Sequence, residues 1–124
     1  MNIEEMMNSG TFTVAGDTVN STKYAYRIKH ALLAAGYKVY AVGKELESLD
    51  DVPEDHIEVL DLCINPAKGA RLLEETEKPI GAVIIQPGAG DDSIRAILER
   101  RGIPYVDGCV LRALEARGHY TMPS

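Results

Sequence analysis

Five short runs of β-branched and apolar residues alternate along this chain with helical runs, and glycines punctuate many of the joints between them. That alternation restricts the fold more than any other feature of the sequence. Strands separated by helices need crossover connections, and crossovers lay strands side by side in parallel. The first run is Thr11-Phe12-Thr13-Val14-Ala15, closed by the turn Gly16-Asp17-Thr18. Asn20 or Ser21 is placed to cap the helix that follows. In that helix Tyr24, Ile28, Ala31, Leu32 and Ala35 share one face, and Gly36 stops it. Residues 37–42 form a second strand. An acidic connection, 45–55, leads to a third over 57–64. Asn65-Pro66 starts the next helix, with asparagine as cap and proline at the first helical position, and the helix reaches about Glu77. Residues 80–86 are the most apolar strand, the pattern of a strand covered on both faces. Asp91 or Asp92 caps a helix bearing Ile94, Ile97 and Leu98, ended by Gly102. A short fifth strand over 104–107 and a last helix over 111–117 complete the series.

These elements predict an α/β, Rossmann-like, doubly wound fold. It has a five-stranded parallel sheet with helices on both faces and right-handed crossovers. A length of 124 residues suits one domain. Residues 1–9 read as a lead-in, 10–117 as the domain and 118–124 as a flexible tail.

Charge narrows the partners. The net charge of −6 argues against nucleic-acid binding, which needs a basic surface. Between Thr18 and Lys44, however, lie five basic residues and no acidic one. Such a local basic surface on an acidic protein suits a small anionic ligand; chance clustering on solvated faces is the plainer reading. No apolar run approaches the roughly 18 residues of a membrane span. The acidic N-terminus also lacks the layout of a signal peptide. A cytoplasmic protein without a membrane partner is expected, and the oligomeric state stays open, a homodimer included.

In open α/β sheets, ligands sit beyond the carboxyl ends of the strands, where strand order reverses. The residues just after each strand are therefore the informative ones. Gly16 lets the backbone turn close to a ligand, and the helix start behind it offers amides that suit a phosphate. Thr18, Ser21 and Thr22 add hydroxyls and Lys23 a charge. A plain strand-to-helix turn explains the same residues as well. Gln86, at the end of the central strand, is placed to hydrogen-bond a ligand or simply to end that strand. Lys44 either meets a phosphate or is solvated. Two cysteines without a C-x-x-C pair, and three scattered histidines, make no zinc signature. No Ser/His/Asp set or paired carboxylates stand out, so no enzymatic turnover is expected. Cys63 reads as core. Cys109 follows the last strand and could bond a ligand's thiol in a mixed disulfide, although a small buried apolar residue is its commoner meaning.

Several blocks occur in a telling order. They are Lys23-Tyr24-Ala25-Tyr26-Arg27-Ile28, Gly36-Tyr37-Lys38-Val39, Asn65-Pro66, Gln86-Pro87-Gly88-Ala89 and Gly108-Cys109-Val110. With the stretch from Ser48 to Pro53, they resemble the small coenzyme A-binding domain family of stand-alone bacterial proteins. That family is similar to the N-terminal nucleotide domain of succinyl-CoA synthetase α subunits. The resemblance implies that loops after strands one, two and four hold coenzyme A. By position, Gly16, Thr18, Lys23 and Tyr26, with Asp17 among them, would serve the first loop. Val42, Gly43 and Lys44 would serve the second, Pro66 would flank the third, and Gln86 and Gly88 the fourth. This chain has Gly16-Asp17-Thr18 where the family usually has Gly-Ala-Ser, and Val42-Gly43-Lys44 where it usually has Val-Asn-Pro. The segment after Lys44 is also shorter. These departures keep open a second reading, a scaffold or partner-binding subunit with a degenerate nucleotide site. A nicotinamide nucleotide is disfavoured, because the second and third glycines of G-x-G-x-x-G and an acid after the second strand are missing.

Overall fold

In the computed structural model, which describes residues 1–123, every apolar run becomes a strand. β1 (Thr11–Gly16), β2 (Lys38–Gly43), β3 (Ile57–Leu62), β4 (Ile80–Ile85) and β5 (Tyr105–Asp107) form one sheet. Its order is β2-β1-β3-β4-β5, and all four pairings are parallel. The helices are α1 (Ile3–Met6), α2 (Tyr24–Ala34), α3 (Pro66–Glu74), α4 (Asp92–Arg100) and α5 (Val110–Ala116). The chain is thus an α/β, Rossmann-like protein with helices on both faces of the sheet.

The two-residue period of the strands divides the core. Ala15, Leu60, Leu62, Val83 and Ile85 face α3 and α4, meeting Leu73, Ile94 and Leu98. Phe12, Val14, Val59 and Ile84 face the other way, against Ile28 and Leu32 of α2 and Leu111 and Leu114 of α5. Each of these buried Val, Leu, Ile and Phe side chains stabilises the fold by about 1.5–3 kcal/mol relative to exposure. Asn65 caps α3 by accepting from the Lys68 amide, with Pro66 in its first turn. Asp91, rather than Asp92, caps α4 through the Ile94 amide.

Several boundaries differ from the sequence reading. Helix α2 begins at Tyr24, so neither Asn20 nor Ser21 caps it. The Asp17 carboxylate accepts from the amides of Val19 and Asn20, and the Asn20 side chain accepts from Thr22. Residues 17–22 therefore hold turns of their own, which local side-chain bonds favour over helix. Tyr24 is exposed and Ala25 takes the inward position. β3 ends at Leu62, and α3 stops at Glu74. Beyond it Thr76 donates to Asp50 and receives the Lys78 amide, bonds that hold the chain in a turn. The N-terminal segment is built in: Asn2 caps α1, and Met6 and Met7 are buried beside α5 and α2. In the predicted tail, Tyr120 and Met122 pack half-buried on the same cluster, while Ser124 lies outside the described residues.

The carboxyl edge of the sheet is tight where the site must form. Gly16 pairs with Gly43 across β1 and β2. A Cβ on Gly16 would sit 2.3 Å from the Cys63 carbonyl oxygen and 2.8 Å from the Ala25 Cβ, and one on Gly43 would sit 2.8 Å from the Gly16 oxygen. Glycine is required there because β1, β2, β3 and α2 converge. β1 and β3 are sheet neighbours, with the chain leaving them toward opposite edges, so the strand-order reversal lies between them.

Candidate functional site

A cleft of about 560 Å³ opens at this reversal point, walled by Asp17, Lys23, Gly43, Lys44, Lys68 and Arg71. Volumes of this order are usual for small-ligand sites. Glu47 and Glu75 also reach it, so its four cations face three carboxylates. Lys23 is the N-cap residue of α2 and makes no side-chain capping bond, so among the described residues the helix start keeps amides that no capping side chain claims. Such amides, together with the helix dipole, favour an anion.

The candidate residues divide in their placement. Asp17, Lys23, Gly43 and Lys44 come together in the cleft. Gly16 lies beneath it, committed to strand packing. Thr18 is buried, and its hydroxyl donates to Glu45, which also pairs with Lys29 at 2.7 Å. Lys29, with the Thr18 hydroxyl, holds the Glu45 carboxyl below its ordinary range. Thr18 is thus spoken for internally. Tyr26 packs its ring against that of His30 in a tilted contact, centroids 4.2 Å apart, on the flank of α2 rather than in the cleft wall. Val42 is fully buried in the core, and Pro66 starts α3 without lining the cleft. The amides of Asn20 and Val19 hold the Asp17 carboxyl below its ordinary value. Asp17 therefore stands ionised at neutral pH and uses up two donors of the loop.

Lys68 and Arg71 were not singled out from the sequence. They lie three apart on α3 and so share a face. Their cue was the Asn65-Pro66 helix start directly after β3, which puts the first two turns of α3 at the reversal point.

Gln86 and Gly88 belong to adjoining spaces. A hollow of about 240 Å³ is walled by Cys63, Ile64, Pro87 and Gly88, among others. It shares Ile64 with the cationic cleft. On its other side it shares Cys63 and Pro87 with a third space of about 320 Å³, which Tyr24, Gln86, Cys109 and Arg112 also line.

This third space holds the most perturbed groups. The Tyr24 hydroxyl lies 3.4 Å from the Cys109 sulfur. Gln86 Oε1 accepts from the Val110 amide at 2.8 Å, which fixes the side-chain amide. Burial pushes the Cys109 thiol up, but the Tyr24 hydroxyl, the Gln86 amide and the amides of Arg112 and Leu111 outweigh it, leaving the thiol below its ordinary value. Hydrogen bonding to Cys109, with burial, raises Tyr24 to about 12. Burial, with Asp61 and Cys109 nearby, raises Cys63 to about 12. Cys109 is therefore placed in a cleft wall beside polar donors, and Cys63, half-buried, lines the same space. Asp61 is buried beneath, with no hydrogen-bond partner for either oxygen among the described residues. Among the described residues no group of three or more His, Cys, Asp or Glu side chains is arranged to hold a metal ion. None of the described helices is long and apolar enough to cross a membrane.

A family model described as "CoA binding domain" matches residues 10–115. Among solved structures, the chain is similar to a conserved hypothetical protein from Pyrococcus furiosus, with 28% identity and a TM-score of 0.74 over 86% of this chain and 99% of that one. It is similar in fold to a protein from Thermus thermophilus, with 24% identity and a TM-score of 0.77 over 97% and 100% of the two chains. A crystal structure of a protein redesigned for binding has 23% identity and a TM-score of 0.82 over 98% and 92%. Among curated proteins none matches significantly.

Proposed function

The chain belongs to the CoA binding domain family, and from that premise we propose that it binds coenzyme A or an acyl-coenzyme A, without turnover, across the carboxyl edge of its sheet. The observation that carries this reading is the grouping of Lys23, Lys44, Lys68 and Arg71 around one cleft of an otherwise acidic protein. Coenzyme A presents a diphosphate and a ribose 3′-phosphate at one end and a thiol on a long flexible arm at the other. The first-turn amides of α2, with Lys23, suit the diphosphate. Lys44, Lys68 and Arg71 suit the remaining phosphate, with Arg71 supplying a planar fork and the lysines point charges. The arm would run past Ile64 and Pro87 toward Tyr24 and Gln86. The residues present thus fit the ligand at both ends. The recognised partner is the small molecule; the reading requires neither nucleic acid nor membrane, and a homodimer is compatible with it.

A melting series tests this directly. A ligand present at a hundred times its Kd stabilises the folded state by about 2.7 kcal/mol. Coenzyme A and acetyl-coenzyme A are expected to raise Tm by several degrees, and AMP, ATP and NAD by less. A flat response to all five ligands would leave the scaffold reading in place. That second reading is favoured by the donors Asp17 and Glu45 already occupy in the first loop.

Asp17 supplies a sharper prediction. Its carboxylate stands at the mouth of the phosphate cleft, where it repels an anion. Asp17→Asn keeps an oxygen for the Val19 and Asn20 amides while removing the charge. Affinity for coenzyme A is expected to improve about threefold to tenfold at low ionic strength, and less in salt. Calorimetric titration reads this; weaker binding in the variant would show that the carboxylate serves the site.

A further inference from the structure

The cationic cleft and the Cys109 space are joined. The small hollow shares Ile64 with the first and Cys63 and Pro87 with the second, so one path leads from four cations to a thiol. Two further features at its far end point to a ligand. Gln86 is 2% exposed, is held by its Oε1 bond to Val110, and presents to the wall of this space an Nε2 that has no partner in hydrogen-bond geometry among the described residues, with the Cys109 sulfur as its polar neighbour. A buried, unpaired amide of this kind costs about 1–3 kcal/mol unless something supplies an acceptor. The Tyr24 hydroxyl, 3.4 Å from Cys109, holds that sulfur at the wall, and Tyr24 follows directly on Lys23 of the cationic cleft.

We propose that Cys109 is a covalent docking point for the ligand's own thiol, forming a mixed disulfide with coenzyme A bound along this path. The inference rests on the coenzyme A reading above. The oxidant is the disulfide form of the ligand. The Cys109 thiolate attacks one sulfur of coenzyme A disulfide. The Cys109–sulfur bond forms as the ligand's sulfur–sulfur bond breaks, and the second coenzyme A departs as a thiolate that takes up the proton Cys109 gave to solvent. Gln86 Nε2 is a donor for the amide carbonyl nearest the thiol. Tyr24 is a positioning residue that donates to the Cys109 sulfur. The groups facing that sulfur are Tyr24 from α2, Arg112 from α5, Gln86 after β4, and Asp61 and Cys63 from the β3 side. Burial pushes the Asp61 carboxyl up, toward its neutral form, and the Cys63 thiol up to about 12, so Cys63 does not compete as nucleophile.

The test treats the reduced full chain with coenzyme A disulfide, and separately with 2-hydroxyethyl disulfide, followed by intact-mass measurement and peptide mapping. The expected result is one coenzyme A per chain, on the Cys109 peptide. It should form about a hundredfold faster than the hydroxyethyl adduct, because binding makes the attack effectively intramolecular. Adenosine 3′,5′-bisphosphate should remove that advantage. Tyr24→Phe should move the pH–rate profile to higher pH, since the thiolate loses its donor. Calorimetry with coenzyme A on a folded Cys109→Ser chain distinguishes loss of covalent docking from loss of binding. Tight binding there, with equal reaction rates of Cys109 toward both disulfides or adduct on Cys63, overturns the docking role and leaves the binding reading standing. No binding, together with equal rates, overturns both.

Discussion

Reversing both charges on α3, with Lys68→Glu and Arg71→Glu together, is expected to weaken coenzyme A binding at least about a hundredfold at low salt while the fold survives. Both side chains are exposed, and neither makes a side-chain hydrogen bond or ion pair among the described residues. The helix keeps its Asn65 cap, which uses the Lys68 backbone amide alone. What changes is the cleft: two attractive charges become repulsive ones. A surface charge pair near contact is worth about 1–4 kcal/mol, and a hundredfold loss needs only about 2.7 kcal/mol. Because the effect is electrostatic, it should shrink as ionic strength rises. Titration calorimetry at two salt concentrations, with circular dichroism as a fold control, reads both parts. Undiminished affinity would remove α3 from the site.

The second large effect concerns stability. Asp61 lies in β3 between Val59 and Cys63 on the face covered by α2 and α5, fully buried, with neither oxygen paired among the described residues. Burial, with Cys109 a lesser contributor, raises its carboxyl well above the ordinary carboxylate range. The folded state therefore holds a proton that the unfolded chain releases near pH 4. Where the native state binds the extra proton, stability falls as pH rises, from the unfolded value up through the folded one. Asp61→Asn keeps the shape and removes the ionisable group. Its Tm is expected to exceed that of the wild type by about 5 °C or more at pH 8, at about 4 °C per kcal/mol for a domain of this size. The margin should narrow toward pH 5. Thermal melts across that range provide the comparison. A variant that is less stable at pH 8 would show that the carboxylate has a partner in solution.

The fold was legible because it rests on periodicity. A strand such as 80–85, apolar on both faces, has few places to go except the middle of a parallel sheet, and Asn65-Pro66 and Asp91 start helices by local chemistry alone. The start of α2 was less legible, because Asp17 and Asn20 spend their side chains on turns of their own, and sequence does not rank that use against a helix cap. The site was legible only in part. Lys23, Gly43 and Lys44 follow strands one and two and fall in the cleft. Lys68 and Arg71 do not adjoin a strand, and they enter it only because α3 leans over the reversal point. Thr18 and Tyr26 looked available by position, yet one donates to Glu45 across 27 residues of sequence and the other packs its ring at a tilt against His30. Asp61 and the Tyr24–Cys109 contact were invisible for the same reason. Each depends on which strand face and which helix end meet in space, and residues 24 and 109 are brought together only by the completed sheet.

On the reading proposed here, coenzyme A sits in the cationic cleft at the strand-order reversal. Amide chemical-shift mapping during titration of the labelled protein with coenzyme A tests it most directly. Saturable shifts are expected, centred on Tyr24, Ala25, Lys44, Lys68 and Arg71 and extending to Gly88 and Cys109. Shifts confined to the opposite edge of the sheet, near Gly36 and Gly102, or no shifts at ligand excess, would contradict it.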